Sequence, residues 1–254
     1  MFKRTKQLFL TLAWLTPLTG NFINAFRLVI RRRKDPYEVL MVKYGGEALF
    51  FRGIDSNALV EVIHEREYAF LTHQIQKKSA PRILDVGAHI GTFAAWALAT
   101  NPNAEILSVE ADKETFAVAT RNANCRSGNW QVINFAASAT DGSRLRFSTS
   151  GPSMSHKISP DGDVEVETIT LGTLMTRLDT SHRIDVLKID IECSEEDFLC
   201  IKPELLAEVN CLVVELHPTM CDVKRVHEVI SRHFSTVTEV QGRRSDKPLL
   251  WCVK

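Results

Sequence analysis

The 254-residue chain has no excess of either charge, because 31 Lys and Arg balance 31 Asp and Glu. The charges are unevenly distributed: residues 1–34 contain eight Lys or Arg and no acidic residue. The remainder holds 23 basic and 31 acidic residues and has a net charge near −8. Because nucleic-acid-binding domains usually carry a basic face, this composition argues against a nucleic acid as the partner of the main body.

The six cysteines form no CxxC pair and show no zinc-ligand spacing. Several lie within apolar runs, which is typical of buried, reduced thiols rather than of a disulfide framework. We therefore expect a cytoplasmic protein whose thiols stay reduced. The six positions are Cys125, Cys193, Cys200, Cys211, Cys221 and Cys252.

A long, continuous apolar run is also missing. Residues 7–26 are uncharged, but Pro17, Gly20, Asn21 and Asn24 interrupt the apolar character that a membrane-spanning helix of about 20 residues needs. Three interpretations stay open: an extension that packs on the domain or is disordered, a helix lying on a membrane surface, and a true span or signal peptide. We predict a basic and apolar extension over residues 1–36 and one folded domain over residues 37–254.

Apolar strand patterns alternate with helical patterns after Pro81, which predicts a parallel sheet covered on both faces. The last two strands, "STVTEVQ" and "LLWCVK", have a short connection and can pair only as antiparallel neighbours. The predicted fold is a doubly wound, mostly parallel seven-stranded α/β sheet that ends in an antiparallel hairpin. The pattern also predicts a hairpin over residues 37–52, one helix over 56–77 and a mobile loop over 149–163.

The first core strand ends in a turn within "RILDVGAHIGTFAAWAL", residues 82–98. Gly87 and Gly91 stand four apart, so the turn lacks the G-x-G-x-x-G dinucleotide fingerprint, and it has no P-loop lysine. The turn can still direct the N–H groups of the following helix at a carboxylate, and S-adenosylmethionine (SAM) has a carboxylate, an amino group and a ribose but no phosphate. We predict that Asp85 binds the amino group, directly or through water. We expect Glu110, at the end of the second strand, to accept hydrogen bonds from both ribose hydroxyls.

Candidate catalytic side chains lie at the carboxyl ends of the fourth and fifth strands, where α/β sheets bind ligands. Strand alternation places Lys188, Asp190 and Glu192 on one face, either as catalytic groups or as a neutralising cluster inside the sheet. Asp190 is the first candidate to orient an acceptor hydroxyl or bind a divalent cation, and Glu192 is the second. On the fifth strand, beside Glu215, His217 is the candidate general base because the free pKa of histidine lies near neutral pH. Its alternative role is structural hydrogen bonding, and no ligand spacing indicates a metal.

Two further histidines are interpreted as non-catalytic. His89, within the glycine turn, is expected to make local hydrogen bonds. His64, with Glu65 and Glu67 on the predicted early helix, is expected on a solvated face, the alternative being that this group reaches over the cleft.

The chain resembles the FkbM-type SAM-dependent methyltransferases over about residues 48–217. The matching segments are "FFRGIDSNALVEVIHEREY", "ILDVGAHIGTFAAWAL", "VEADKETFAVATRNA", "LGTLMTRLD", "IDVLKIDIECSEEDFL" and "VVELH". The resemblance implies a class I methyltransferase fold and O-methylation of a hydroxyl on a small molecule or glycan. It also implies that SAM binding falls on a set of residues around the turn and the second strand: Asp85, Gly87, His89, Gly91, Glu110 and Ala111.

Two positions depart from the family pattern. The family's "IDVEGAE" is "IDIECSE" here, so Cys193 and Ser194 stand where the family has a glycine and an alanine. A side chain at the glycine position can narrow the cleft, which bears on the choice of acceptor. The family's usual Asn in the turn is His89, which also donates and accepts hydrogen bonds.

Two other functions stay open from the sequence. One is a non-catalytic methyltransferase-like binding domain recruited to membranes through the basic N-terminus. The other is a nicotinamide-dependent reductase, against which the missing third glycine and the lack of a nearby Tyr-x-x-x-Lys pair both argue.

Overall fold

The computed structural model describes residues 2–148, 157–158, 164–178, 183–191, 194–219, 221–240 and 246–254. Glu192, Cys193 and most of the predicted loop over 149–163 lie outside these residues. The α-helices of the described residues are α1 (Phe2–Thr19), α2 (Phe22–Lys34), α3 (Ser56–Leu59), α4 (Thr72–Gln76), α5 (Thr92–Thr100), α6 (Lys113–Asn124), α7 (Leu171–Arg177), α8 (Glu195–Cys200) and α9 (Val223–His233).

The strands fall into three sheets among the described residues. In chain order they are β1 (Val39–Tyr44), β2 (Glu47–Arg52), β3 (Arg82–Val86), β4 (Glu105–Val109), β5 (Asn129–Ile133), β6 (Ala136–Ala137), β7 (Arg144–Ser148), β8 (Lys157–Ile158), β9 (Val164–Ile169), β10 (Val186–Ile189), β11 (Cys211–Glu215), β12 (Thr236–Val240) and β13 (Leu249–Val253). The hairpin predicted over residues 37–52 is the antiparallel pair β1–β2.

The central sheet has seven strands in the order β12-β13-β11-β10-β3-β4-β5. Neighbours from β11 to β5 pair in parallel, whereas β13 runs antiparallel to both β11 and β12. This confirms the predicted mostly parallel, doubly wound sheet that ends in an antiparallel hairpin. The order reverses between β10 and β3, and in such sheets this switch point opens a crevice beyond the carboxyl ends of the strands.

Both faces of the central sheet are buried. On β3, Leu84 and Val86 belong to one core cluster, and Ile83 belongs to the cluster on the opposite face. Successive strand residues alternate between the two faces, so a strand covered on both sides needs an apolar residue at nearly every position. Asp85 and Lys188 are the buried exceptions on β3 and β10.

Another sheet has the strand order β6-β9-β7-β8, and its strands occur in the sequence between β5 and β10. Its two longest strands are β7 and β9. The two pair antiparallel, with Leu145 opposite Val166.

The N-terminal helices α1 and α2 pack on the β1–β2 hairpin. Leu12, Leu15 and Leu28 are buried in one cluster with Leu40 and Phe51. The extension therefore packs on the domain, and this packing is compatible with contact between its outward side and a membrane surface. Within the part of the chain that the structure describes, no helix combines the length and apolarity needed to cross a bilayer.

The single helix predicted over residues 56–77 is wrong. Helix α3 continues into a π-helical turn, Val60–His64, after which Arg66 adopts a φ of 57°; a 3-10 turn, Ala69–Leu71, then precedes α4. The polar run over residues 64–67 offers no apolar side chain for burial, so the chain turns there. The turn lets Tyr68 pack edge-on against Phe93, with ring centroids 4.9 Å apart.

Candidate functional site

The turn after β3 depends on its two glycines. Gly87 has a φ of 78° and Gly91 a φ of 81°, a backbone region that favours glycine. A methyl group on Gly87 would collide with the carbonyl oxygen of Asp190, and one on Gly91 would collide with the Trp130 ring. The turn is held against β4 because the N–H groups of Gly87 and Ala88 both donate to the carbonyl of Val109, at 3.0 and 2.9 Å.

His89 links the turn to two carboxylates. Its φ of 53° lies in the left-handed region, where Asn and His are among the few tolerated side chains, so the change from the family's Asn is structurally mild. The backbone N–H of His89 donates to Glu110 Oε2 at 2.7 Å. Its ring Nε2 lies 3.4 Å from Asp55 Oδ1.

Asp55 connects the segment that follows β2 to this turn. Arg52 donates to both carboxylate oxygens of Asp55, at 2.9 and 3.0 Å. Burial alone would raise the pKa of Asp55, but hydrogen bonds from His89 and Arg52 outweigh it and hold the pKa below its ordinary value. Asp55 therefore stays ionised and anchors the His89 ring.

Glu110 lies at the carboxyl end of β4, beside the turn. Its Oε1 accepts the N–H of Asp112 at 2.9 Å, in addition to the His89 N–H on Oε2. An ionised carboxylate has about four acceptor positions, so two further hydrogen bonds can be accepted. Burial is the main cause that raises the pKa of Glu110 above its ordinary value, although His89 and the Asp112 N–H offset part of it. Ala111 follows, with its carbonyl accepting from Asn134 Nδ2 at 2.9 Å.

Asp85 and Lys188 form a buried ion pair behind the turn. Lys188 Nζ lies 3.3 Å from Asp85 Oδ1 and donates to the carbonyl of Gly87 at 2.6 Å. Ser108 Oγ donates to Asp85 Oδ2 at 3.1 Å. Burial alone would lower the pKa of Lys188, but Asp85 and Asp190 raise it above its ordinary value, so the amine stays protonated. This placement gives both side chains a role in fixing the turn.

His217 lies just beyond β11 in a buried carboxylate environment. Its Nδ1 is hydrogen-bonded to Glu195, a fully buried residue in the first turn of α8. Its Nε2 lies 3.4 Å from Glu215 Oε1, which in turn lies 3.4 Å from Lys247 Nζ. A carboxylate behind Nδ1 fixes the ring orientation and stabilises the imidazolium form, so Nε2 can serve as a proton acceptor.

Asp190, Glu215 and His217 converge at the ends of β10 and β11. One ligand atom from each lies within 4.8 Å of the others, which is close enough for a shared cation. Strand β10 ends at Ile189, so Asp190 follows the strand and does not lie within it as the strand alternation predicted. Its N–H still donates to the carbonyl of Val86 at 3.0 Å, which fixes Asp190 beside β3.

The structure adds Glu67 to this group. Burial, together with the nearby charges of Glu61, Glu215 and Asp190, raises the pKa of Glu67 to about 7. The sequence interpretation placed Glu67 on a solvated face because the break in the predicted helix was not foreseen.

The candidate residues thus fall into two neighbouring groups. The first comprises the turn and the end of β4: Asp85, Gly87, His89, Gly91, Glu110, Ala111 and Lys188. The second comprises the ends of β10 and β11: Asp190, Glu215 and His217, joined by Glu67 and Glu195. Sequence reasoning missed Asp55 as the partner of His89, although "FFRGIDSN" lies within the segments that resemble the family.

The strand order and the glycine turn beside an acidic strand end define the chain as a Rossmann-like α/β domain of the class I methyltransferase type. The family model described as "Methyltransferase FkbM domain" matches residues 85–237, and the chain belongs to this family. The family that the sequence resembles is thereby confirmed, and the segment "FFRGIDSNALVEVIHEREY" lies before the matched residues.

A curated relative is the hexuronic acid methyltransferase AglP of Haloferax volcanii, 28% identical over 149 residues. The match covers 58% of this chain and 60% of the relative, so the chain spans about three fifths of that protein. Similar solved structures include human methyltransferase-like protein 13 in complex with SAH, at a TM-score of 0.48, with 12% identity and coverage of 74% of this chain and 81% of that chain. Another is Aeropyrum pernix fibrillarin with bound SAM, at a TM-score of 0.44, with 14% identity and coverage of 86% and 84%.

Proposed function

We propose that the protein is a SAM-dependent O-methyltransferase whose acceptor is a hydroxyl group on a glycan or related small molecule. The observation that carries the proposal is the position of Glu110 at the end of β4. Two backbone N–H groups fix its carboxylate, which can accept two further hydrogen bonds. Family membership and the name of the curated relative support the activity and the glycan class.

The residues of the first group fit SAM. The N–H groups of Gly87, Ala88, His89 and Gly91 already donate within the fold. The turn leads into α5, whose first backbone N–H groups suit a carboxylate, and Glu110 suits the two ribose hydroxyls. Asp85 is fully buried against Lys188 and Ser108, so its expected contact with the amino group stays a prediction and its main role is to hold the turn. Bound SAM supplies an electrophilic methyl group.

The second group suits the acceptor. We assign His217 as the general base that takes the hydroxyl proton on Nε2, with Glu195 holding Nδ1. Asp190 orients the hydroxyl, and alignment of the nucleophile with the methyl group supplies most of the rate enhancement in such a displacement. Lys188 is protonated and acts by positioning the turn. Glu192, the second candidate for orienting the hydroxyl, lies outside the residues that the structure describes, so its role stays a prediction.

The alternative role of this second group is to bind a divalent cation through Asp190, Glu215 and His217. Two carboxylates and an imidazole suit Mn²⁺, Fe²⁺ or Zn²⁺ better than Mg²⁺, which prefers oxygen ligands. If His217 is the base, dialysis against EDTA leaves methyl transfer unchanged. A loss of activity that added Mn²⁺ restores would favour the cation.

Methyl transfer from isotopically labelled SAM tests the function. The purified protein is incubated with glucuronic acid, with glucuronide-containing oligosaccharides and with neutral sugars, and the masses of the products are measured by mass spectrometry. We expect one added labelled methyl group on a hexuronic acid acceptor. Binding of S-adenosylhomocysteine without transfer to any acceptor would favour the non-catalytic binding domain, and binding of NADH instead would favour the reductase.

The expected cytoplasmic location also remains a proposal. Cys211, Cys221 and Cys252 are buried free thiols, Cys200 is half-buried and Cys125 is exposed. Free thiols at all five positions suit a reducing compartment.

A further inference from the structure

Helix α2 has two apolar faces, and only one of them packs on the domain. Ala25, Leu28 and Val29 are buried against the hairpin and α1. A second set of apolar side chains, here called the outer α2 face, remains largely exposed: Phe22 at 52%, Ile23 at 63%, Phe26 at 44% and Ile30 at 49%.

The outer α2 face is a continuous strip. With about 100° of rotation per residue, the four side chains lie within about a third of the helix circumference. Single exposed hydrophobic residues are ordinary on a soluble protein, whereas an exposed cluster marks a surface that contacts another apolar phase.

The charged residues of α2 itself are all basic. By the same rotation, exposed Arg33 lies among the four apolar residues, and exposed Arg27 and Lys34 lie along one edge. No acidic residue occurs in residues 1–34, while the rest of the chain is net acidic. Positive charge beside an exposed apolar helix face complements anionic headgroups above an acyl layer.

We propose that the outer α2 face binds the surface of a bilayer that contains anionic phospholipids, with α2 lying in the interface. The inference is independent of the methyltransferase activity. A strip of this kind would also suit a second copy of the chain, but self-association between two strips would bring Arg27, Arg33 and Lys34 of each copy together, which like charges oppose.

Vesicle co-sedimentation of the full chain tests this proposal. We expect binding to vesicles of phosphatidylcholine with phosphatidylserine and weak binding to phosphatidylcholine alone. The double variant Phe26→Ser/Ile30→Ser should bind about tenfold or more weakly, since it removes two side chains from the apolar strip. Ile201→Ser, which alters a 54% exposed residue outside the strip, is the matched control and should bind like the wild type.

Charge reversal provides a second, independent arm. Arg27→Glu/Lys34→Glu should abolish the preference for phosphatidylserine, whereas Lys224→Glu/Arg232→Glu on α9 makes the same change in net charge and should keep it. Circular dichroism checks that all variants are folded. Absence of binding by the wild type, equal losses in both reversal variants, or a dimer in sedimentation velocity that Phe26→Ser/Ile30→Ser dissociates without any vesicle binding would overturn the proposal.

Discussion

Glu67 makes stability depend on pH in a direction that the structure fixes. Its carboxyl lies among Glu61, Asp190 and Glu215, and burial with these like charges raises its pKa from 4.5 to about 7. The folded state therefore binds a proton at Glu67 more tightly than the unfolded chain does. The stability from this site is present below pH 4.5 and is lost as the pH rises through about 7.

The variant Glu67→Gln removes this dependence. A difference of one in pKa corresponds to about 1.4 kcal/mol, so a change from 4.5 to about 7 corresponds to at most about 3.5 kcal/mol. Because solvent reaches part of the half-buried side chain, we expect about 1–2 kcal/mol. As the pH rises from 5 to 8, the free energy of unfolding of Glu67→Gln should increase by this amount relative to that of the wild type.

Urea unfolding of both proteins across this pH range measures the difference. Glu228→Gln, which changes an exposed carboxylate on α9, serves as the control and should differ from the wild type by the same amount at every pH. A difference between Glu67→Gln and wild type that is constant, or that falls as the pH rises, would refute the placement of Glu67 among the carboxylates.

Three further predictions concern the turn and the base. Lys188→Met leaves its buried carboxylate partner without a cation and should lower the free energy of unfolding by about 3–5 kcal/mol in urea titration, whereas a loss below about 1 kcal/mol would contradict the buried pair. Gly91→Ala should be more destabilising than Gly46→Ala, because both have a positive φ but only Gly91 faces the Trp130 ring; equal melting temperatures would count against the packed turn. His217→Asn should lower kcat by about 10²–10⁴-fold with an unchanged Kd for SAM, and unchanged kcat would exclude it as the base.

The sequence predicted the central sheet because each strand carries its own signal. Strands such as β11 and β13 are apolar at nearly every position, and the short connection before β13 forces an antiparallel pair. The turn was predictable for a similar reason, since Gly87 and Gly91 are adjacent in sequence to the strand that they end. Local pattern was sufficient wherever the contact partners are close in the chain or are dictated by strand pairing.

The contacts that complete the candidate site are long-range and carry no local signal. Glu195 and His217 lie on different elements, and only the packing of α8 beside the end of β11 brings them together. Glu67 enters the site because the helix predicted over 56–77 breaks at the polar run before Tyr68. Asp55 reaches His89 through a hydrogen-bonded arrangement with Arg52 that a linear pattern does not encode.

Calorimetric titration with S-adenosylhomocysteine tests the central claim, that Glu110 beside the Gly87 turn binds the ribose of SAM. The wild type should bind, and Glu110→Ala should lower the affinity by about 10–100-fold, because hydrogen bonds from two hydroxyls to a carboxylate are lost. Glu105→Ala, at the opposite end of β4, should retain the wild-type affinity. Wild-type affinity in Glu110→Ala would contradict the account.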